Sequence, residues 1–279
     1  MKPNFIGIGA QKCASTWLYD ILSDHPEVAL SGKKELDFFS YHYEFGYRWY
    51  ERQFPEIPGS KGVGEISPSY FNEASVPERV KLYAPNIKIL LSLRDPVERA
   101  LSQHRHLVRI GHVQGPDFSF ETALADNPSY VEQGRYAEHL GRWRAIFPHQ
   151  QIHVVLMEDI RKTPEEIASG VYAFLDLKPQ HRSSALRELS NPSYIPRSRG
   201  LAATVDTMRG IAERTGLGAV WRGVGRIGAQ SLYRKLNRRP SEAVIPPPKP
   251  ETLKKLREAF HDDVQALEKI LGRKLPGWL

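Results

Sequence analysis

The stretch that most constrains what this chain can fold into is residues 5–22, FIGIGAQKCASTWLYDIL. Phe5, Ile6 and Ile8 form a short apolar run, Gly7 and Gly9 leave the backbone bare, and a polar turn carrying Lys12, Ser15 and Thr16 follows. Trp17, Leu18, Ile21 and Leu22 then recur at the spacing of one helix face. The pattern reads as strand, turn and helix N-terminus. Such a turn aims unpaired N–H groups and the positive end of a helix dipole at one spot, where Lys12 adds a full charge. That spot is expected to hold a phosphate or sulfate. An ordinary strand–helix loop with an exposed lysine is the alternative reading. Cys13, the one cysteine, excludes an intramolecular disulfide and is expected to pack beneath the loop.

The 279 residues, 41% of them hydrophobic, suffice for a sizeable α/β core. The net charge of +7 suits a polyanionic ligand, nucleic acid or an anionic membrane surface, and does not choose among them. The start, MKPNFIGIGA, lacks the apolar core of a signal peptide, and no stretch approaches the roughly 20 apolar residues of a membrane span. A cytoplasmic, soluble chain is the expectation. The apolar runs 87–93 and 152–156 read as buried parallel strands, and residues 62–71 as a short strand halted by Pro68. Helix starts are predicted at Asp95, Pro96 and Glu98, and again at Thr163, Pro164 and Glu166, each as N-cap, first helical position and capping-box glutamate. Ile167, Val171, Phe174 and Leu175 are the expected buried stripe of the second helix. Tyr136, Leu140, Trp143 and Phe147 share another helix face. Strand–helix alternation predicts an α/β fold with helices on both faces of a parallel sheet, and a ligand at the carboxyl ends of the strands.

Two further segments point to the same kind of ligand. Arg94 precedes the first of those helix starts, and Ser102, seven residues past Asp95, returns to its face after about two turns at ~3.6 residues each, so the two can address one anion. His104 and His106, two apart, do not share a face, which argues against a metal pair. The segment KKELDFF, residues 33–39, combines lysines, carboxylates and aromatics, and an aromatic-dense stretch follows from Tyr41 to Phe54. Those rings read either as acceptor platforms or as core around the loop.

The order GAQKCAST, from Gly9 to Thr16, departs from GxxxxGK[ST], since Lys12 lies three residues before Ser15 with no glycine before it. It resembles the 5′-phosphosulfate loop of sulfotransferases that use 3′-phosphoadenosine 5′-phosphosulfate (PAPS). KELDFF resembles their K-E-x-x-F-F segment, GEISPSYF their G-E-x-[ST]-P-x-Y-F segment, and RDPVERALS, from Arg94 to Ser102, their R-[DN]-P-x-x-R-x-x-S motif at the 3′-phosphate. Asp37 stands where related patterns often have histidine, and Ile66 where several have lysine. The chain is thus similar to bacterial PAPS-dependent sulfotransferases related to heparan-sulfate and Golgi carbohydrate enzymes. The resemblance implies a P-loop-NTPase-like sheet, PAPS as sulfuryl donor, 3′-phosphoadenosine 5′-phosphate (PAP) as product, and no required metal. It implies Glu35 as general base, with Asp37 or Glu65 able to share that role, and Lys12 on the leaving phosphate. It assigns the nucleotide to Lys12, Cys13, Ala14, Ser15, Thr16, Trp17, Arg94, Ser102 and the basic loop Arg197, Ser198 and Arg199. The acceptor, an alcohol, amine, glycan or lipid, stays open.

The expected layout is a nucleotide-binding core over 1–200, a basic Arg/Gly-rich helical insertion over 201–245, and a proline-rich linker with a docked helix over 246–279. That closing helix is read from Leu253, Leu256, Phe260, Val264, Leu267 and Leu271, with Gly272 near its end and Trp278 pinning the tail. The basic stretch 209–239 is a candidate for peripheral membrane contact; nucleic acid is not the expected partner. A P-loop kinase or NTPase, or a basic nucleic-acid- or membrane-binding protein, are the competing functions.

Overall fold

The computed structural model describes residues 1–113, 118–187, 194–196 and 238–279. Arg197, Ser198, Arg199 and the basic stretch up to residue 237 lie outside the described residues. The chain divides into two compact units, one of Met1–Gln103, Pro128–Asn191 and Pro250–Leu279, the other of His104–Asn127 and Pro192–Lys249.

The first unit is built on a five-stranded sheet. Its strands are β1 (Phe5–Gly9), β2 (Val28–Leu30), β3 (Gly62–Ile66), β4 (Lys88–Leu93) and β5 (Ile152–Leu156), in the order β2-β3-β1-β4-β5. Every pairing is parallel. The apolar runs form these strands because both faces are covered: β1, β2 and β3 are buried throughout. Helix α1 (Ser15–Ser23) buries Trp17, Leu18, Ile21 and Leu22, as the spacing predicts. They join Leu90, Val155, Val171 and Tyr172 in one apolar cluster, each such side chain worth about 1.5–3 kcal/mol over an exposed one. Close backbone approach explains Gly64, where an added Cβ would lie 2.4 Å from the Phe5 carbonyl.

Helices α2 (Phe38–Tyr41) and α3 (Gly46–Glu51) follow β2, α4 (Val76–Tyr83) follows β3, and α5 (Pro96–Ile110) follows β4. Asp95 caps α5 as predicted, its Oδ1 accepting from the Val97 and Glu98 amides at 2.8 and 3.2 Å. The capping-box expectation fails at Glu98. That carboxylate turns back to Arg94 at 2.8 Å, and the Asp95 amide donates instead to Glu158 at 3.1 Å. Beyond α6 (Phe120–Asp126) and α7 (Ser129–Glu132), α8 (Tyr136–Ile146) buries Tyr136, Leu140 and Trp143. Helices α9 (Met157–Lys162) and α10 (Pro164–Phe174) follow β5. Thr163 makes no side-chain cap to α10, and the buried face of that helix is Ala168, Val171 and Tyr172. Ile167 and Phe174 sit half-buried at its margin, Phe174 stacking on His153 at 5.0 Å.

The C-terminal helix α11 (Pro250–Leu271) buries Leu256, Phe260, Val264 and Leu267, leaving Leu253 and Leu271 half-buried. It lies against α8 and supplies what α8 lacks. Arg135 gives α8 no side-chain cap, whereas Asp263 accepts from the Ala137 and Glu138 amides at 3.0 and 3.2 Å. Trp278 is buried, 6.0 Å from the Tyr136 ring.

In the second unit, Ser119 caps α6, and His104 donates or accepts at the Phe118 carbonyl, 2.8 Å away. The short strands β6 (Tyr194–Pro196) and β7 (Arg238–Pro240) pair antiparallel.

Candidate active site

Strand order reverses between β1 and β4, and in open α/β sheets the crevice beyond the carboxyl ends at such a point is where ligands bind. Three of the segments singled out from sequence leave the sheet there. The β1 loop carries Lys12, the β3 end carries Glu65, and the β4 end carries Arg94. The two central loops are tied together: the Ala10 amide donates to the Ser92 carbonyl at 2.7 Å, and Ser92 Oγ donates to the Gly9 carbonyl at 3.1 Å. Ser92 escaped the sequence reading, though one hydroxyl inside the apolar run ILLSL was the visible signal.

The loop itself is bent against its side chains. Lys12 and Ala14 have φ of 66° and 69°, a left-handed conformation that residues with a Cβ rarely adopt. Gly9, at φ 144°, lies where a Cβ would come 2.9 Å from Phe71 Cβ and 3.0 Å from the Pro68 carbonyl. Ala14 occupies the N-cap of α1 with no side-chain cap. The N–H groups of Ser15, Thr16 and Trp17 therefore open the helix toward the crevice. Trp17 and Cys13 have buried side chains, so each can meet a ligand there through its backbone alone. Burial pushes the Cys13 thiol up to about 11, against the opposing pull of the Tyr136 hydroxyl 3.4 Å away and of Arg99 and Arg94. Tyr136, read from the sequence as part of one helix face, thus closes the underside of the loop.

Arg94 is buried at the end of β4. It holds Glu98 through Nη2, while its buried Nε has no partner among the described residues. A buried guanidinium with a donor left over is suited to a further anion. Ser102 lies half-buried two turns along α5. Arg99, fully buried, serves architecture: it donates to Gln103 at 2.7 Å, to Gln133 at 3.3 Å and to the Tyr130 carbonyl.

The three carboxylates of the site differ in environment. Glu65 is fully buried, accepting from Tyr70 Oη and Ser67 Oγ at 2.6 Å each and from the Leu36 amide at 3.3 Å. Burial pushes its carboxyl upward despite these donors. Asp37 Oδ1 accepts from Ser69 Oγ at 2.5 Å, and the Asp37 amide donates to Ser67 Oγ at 3.0 Å. Glu65 and Ser67 together hold the amides on either side of Leu36. Glu35, just before it, is held at φ 24° with 43% of its side chain exposed and Lys34 Nζ at 3.3 Å. Lys34 also donates to Thr16 Oγ1 at 3.1 Å, which links this segment to the first turn of α1. Four strained non-glycine residues, Lys12, Ala14, Glu35 and Asp37, thus flank one crevice.

The aromatic stretch divides between the two readings. Phe38 and Phe39 are fully buried, Phe38 stacking on Tyr50 at 4.4 Å and 11°, whereas Tyr41 and Phe45 are 57% and 50% exposed. Among the described residues no group of three or more His, Cys, Asp or Glu is placed to hold a metal ion, and no helix is long and apolar enough to cross a membrane.

Known proteins resemble this chain in sequence and in architecture. The family profile described as Sulfotransferase domain matches residues 2–203. A bifunctional heparan sulfate N-deacetylase/N-sulfotransferase of Drosophila melanogaster is 29% identical over 207 residues, covering 63% of this chain and 20% of that protein. The membrane-associated sulfotransferase kil1 of Dictyostelium discoideum is 35% identical, covering 63% of this chain and 56% of its own length. The chain therefore spans from a fifth to somewhat over half of these relatives. The crystal structure of a sulfotransferase from Alicyclobacillus acidocaldarius superposes with a TM-score of 0.73 at 23% identity, covering 100% of this chain and 99% of that one.

Proposed function

Because the chain belongs to the sulfotransferase domain family, we propose that it moves the sulfuryl group of PAPS to an acceptor hydroxyl or amine. The observation that carries this reading is the pairing of two anion sites on adjacent strands, the Lys12 loop at the end of β1 and the buried Arg94, with its spare donor, at the end of β4. A 5′-phosphosulfate suits the first and a 3′-phosphate the second. Lys12 and the first-turn amides of α1 would hold the former, and Arg94 with Ser102 the latter. The sequence resemblance adds Arg197, Ser198 and Arg199 to the nucleotide contacts.

The bound nucleotide supplies an activated sulfuryl group; the chain's own residues orient and neutralise. Transfer joins the acceptor oxygen or nitrogen to sulfur and breaks the bond from sulfur to the 5′-phosphate oxygen. Negative charge grows on that oxygen, where Lys12 and the α1 amides are aimed. The acceptor proton must leave in the same step. Glu35 would receive it: its side chain is 43% exposed beside Lys34, whereas Glu65 is fully buried and Asp37 Oδ1 is taken by Ser69 Oγ.

The test is calorimetric titration with PAP, using AMP and Mg-ATP as controls. Binding that requires the 3′-phosphate is expected, and Arg94→Ala should weaken it at least tenfold. ATP binding without PAP binding would overturn the proposal.

A further inference from the structure

The ion pair at the end of β4 bears on how a 3′-phosphate is gripped and released. Arg94, Glu98 and Ser102 follow one another at i, i+4 and i+8, so Glu98 stands one turn from each of the two groups assigned above to that phosphate. Its carboxylate lies 2.8 Å from Arg94 Nη2. The fit of the pair is partial. Nε and Nη2 form one edge of the planar guanidinium, the edge that can take two oxygens of a carboxylate or phosphate at once. Glu98 takes Nη2 alone and leaves Nε buried without a partner among the described residues. A phosphate using both donors would complete what the carboxylate leaves half made. Its oxygens would then meet Glu98 on that same edge, like charge against like charge.

Glu98 is built to yield. Its amide donates to Asp95 Oδ1 at 3.2 Å, which keeps its backbone in the first turn of α5 whatever its side chain does. The Asp95 amide, which a capping-box glutamate would take, donates to Glu158 instead, so the helix start does not depend on the Glu98 carboxylate. The other acids around Arg94 are fixed. Asp95, its side chain 9% exposed, accepts from two amides through Oδ1 and from Arg257 at 3.1 Å through Oδ2, and Glu158 Oε2 is buried. The Glu98 side chain is 47% exposed, against 9% for its partner Arg94.

From this arrangement we infer that Glu98 is a resident counterion of the 3′-phosphate seat. It pairs with Arg94 while the seat is empty, swings into solvent when the phosphate takes the Nε–Nη2 edge, and favours release of PAP by returning. The inference rests on the sulfotransferase reading. No proton moves in the exchange: one anion replaces another on Arg94, and Glu98 carries its charge into water. A nucleotide without a 3′-phosphate leaves the pair closed, so Arg94 is offered only to ligands able to displace Glu98.

The test compares full-length wild type with Glu98→Gln, which keeps the shape and removes the charge, by calorimetric titration with PAP and with AMP, which lacks the 3′-phosphate. PAP is expected to bind the variant about three- to tenfold more tightly, and radiolabelled PAP chased with unlabelled PAP to leave it more slowly by a similar factor. AMP affinity should stay within about twofold of wild type. Should the glutamine variant not fold, Glu98→Ala takes its place with the same expectations. PAP bound equally or more weakly by the variant would show that Glu98 positions Arg94 or stands by, and a gain shared by AMP would show a general effect of charge. Either result overturns the inference and leaves the sulfotransferase reading intact. Failure of wild type to bind PAP, or binding indifferent to the 3′-phosphate, would remove both.

Discussion

At the scale of single residues, the proposed reaction separates Lys12 from the three carboxylates. In the proposed reaction Lys12 faces the leaving phosphate, and removing a donor aimed at developing charge costs about 3–4 kcal/mol. Lys12→Ala should therefore lower single-turnover transfer by hundreds-fold in a radiolabelled-PAPS assay. Glu35 and Glu65 are predicted to fail in different ways. Glu35→Gln removes the proposed base, which is partly exposed, so transfer should vanish while PAP affinity and melting temperature hold; retained transfer would move the base elsewhere. Glu65→Gln turns an amide NH2 toward a site lined by the Leu36 amide, Ser67 Oγ and Tyr70 Oη, all of which donate to the native carboxylate. A buried mismatch of this kind costs about 1–3 kcal/mol, read as a lowered denaturation midpoint, and transfer should fall through loss of the Leu36 anchor. The sequence motifs located these residues and put Glu35 first, without showing how Glu65 and Asp37 are engaged. Glu65 and Asp37 look like bases by type; Asp37 is engaged by Ser67 and Ser69 from about 30 positions away, and Glu65 by Ser67 and Tyr70, two and five residues on, once the turn after β3 is buried.

At the scale of elements, the legible parts were those governed by local rules. The apolar runs became β1, β4 and β5, and the spacing of Trp17, Leu18, Ile21 and Leu22 became the buried face of α1. The caps were less legible because their partners are distant. Asp95 caps α5 locally, but Glu158 takes the place expected of Glu98, and the cap of α8 comes from Asp263, 126 residues beyond Ala137. Asp263→Ala should remove two charge-assisted bonds from the first turn of α8. We expect a loss of about 1–2 kcal/mol in urea denaturation, with Asp263→Asn recovering part of it.

The whole molecule responds to pH through a pair that joins distant segments. Arg273, after α11, donates to both carboxylate oxygens of Asp159 in α9, and these bonds hold the Asp159 carboxyl below its usual range. A depressed folded value contributes stability that is present above the unfolded value near 3.9 and is lost as pH falls through the folded one. Arg273 is half exposed, so the contribution is about 1 kcal/mol or less after solvent screening. Arg273→Ala should lower the urea midpoint at pH 7, by a margin that shrinks as pH falls below about 3.9. An unchanged margin would show that the pair acts through packing rather than charge.

Asp263 also has a companion on α11: Arg257 donates to the second oxygen of Asp95 at 3.1 Å, next to Arg94. One late-synthesised helix thus braces both the start of α8, whose Tyr136 underlies the anion loop, and the start of α5. A nascent chain that has cleared the ribosome only to residue 249 carries Lys12, Glu35, Arg94 and Ser102, yet neither brace. Assembly of the anion loop's supports then waits on the emergence of residues 250–271, and a chaperone or protease meeting the chain before that point meets it without either brace.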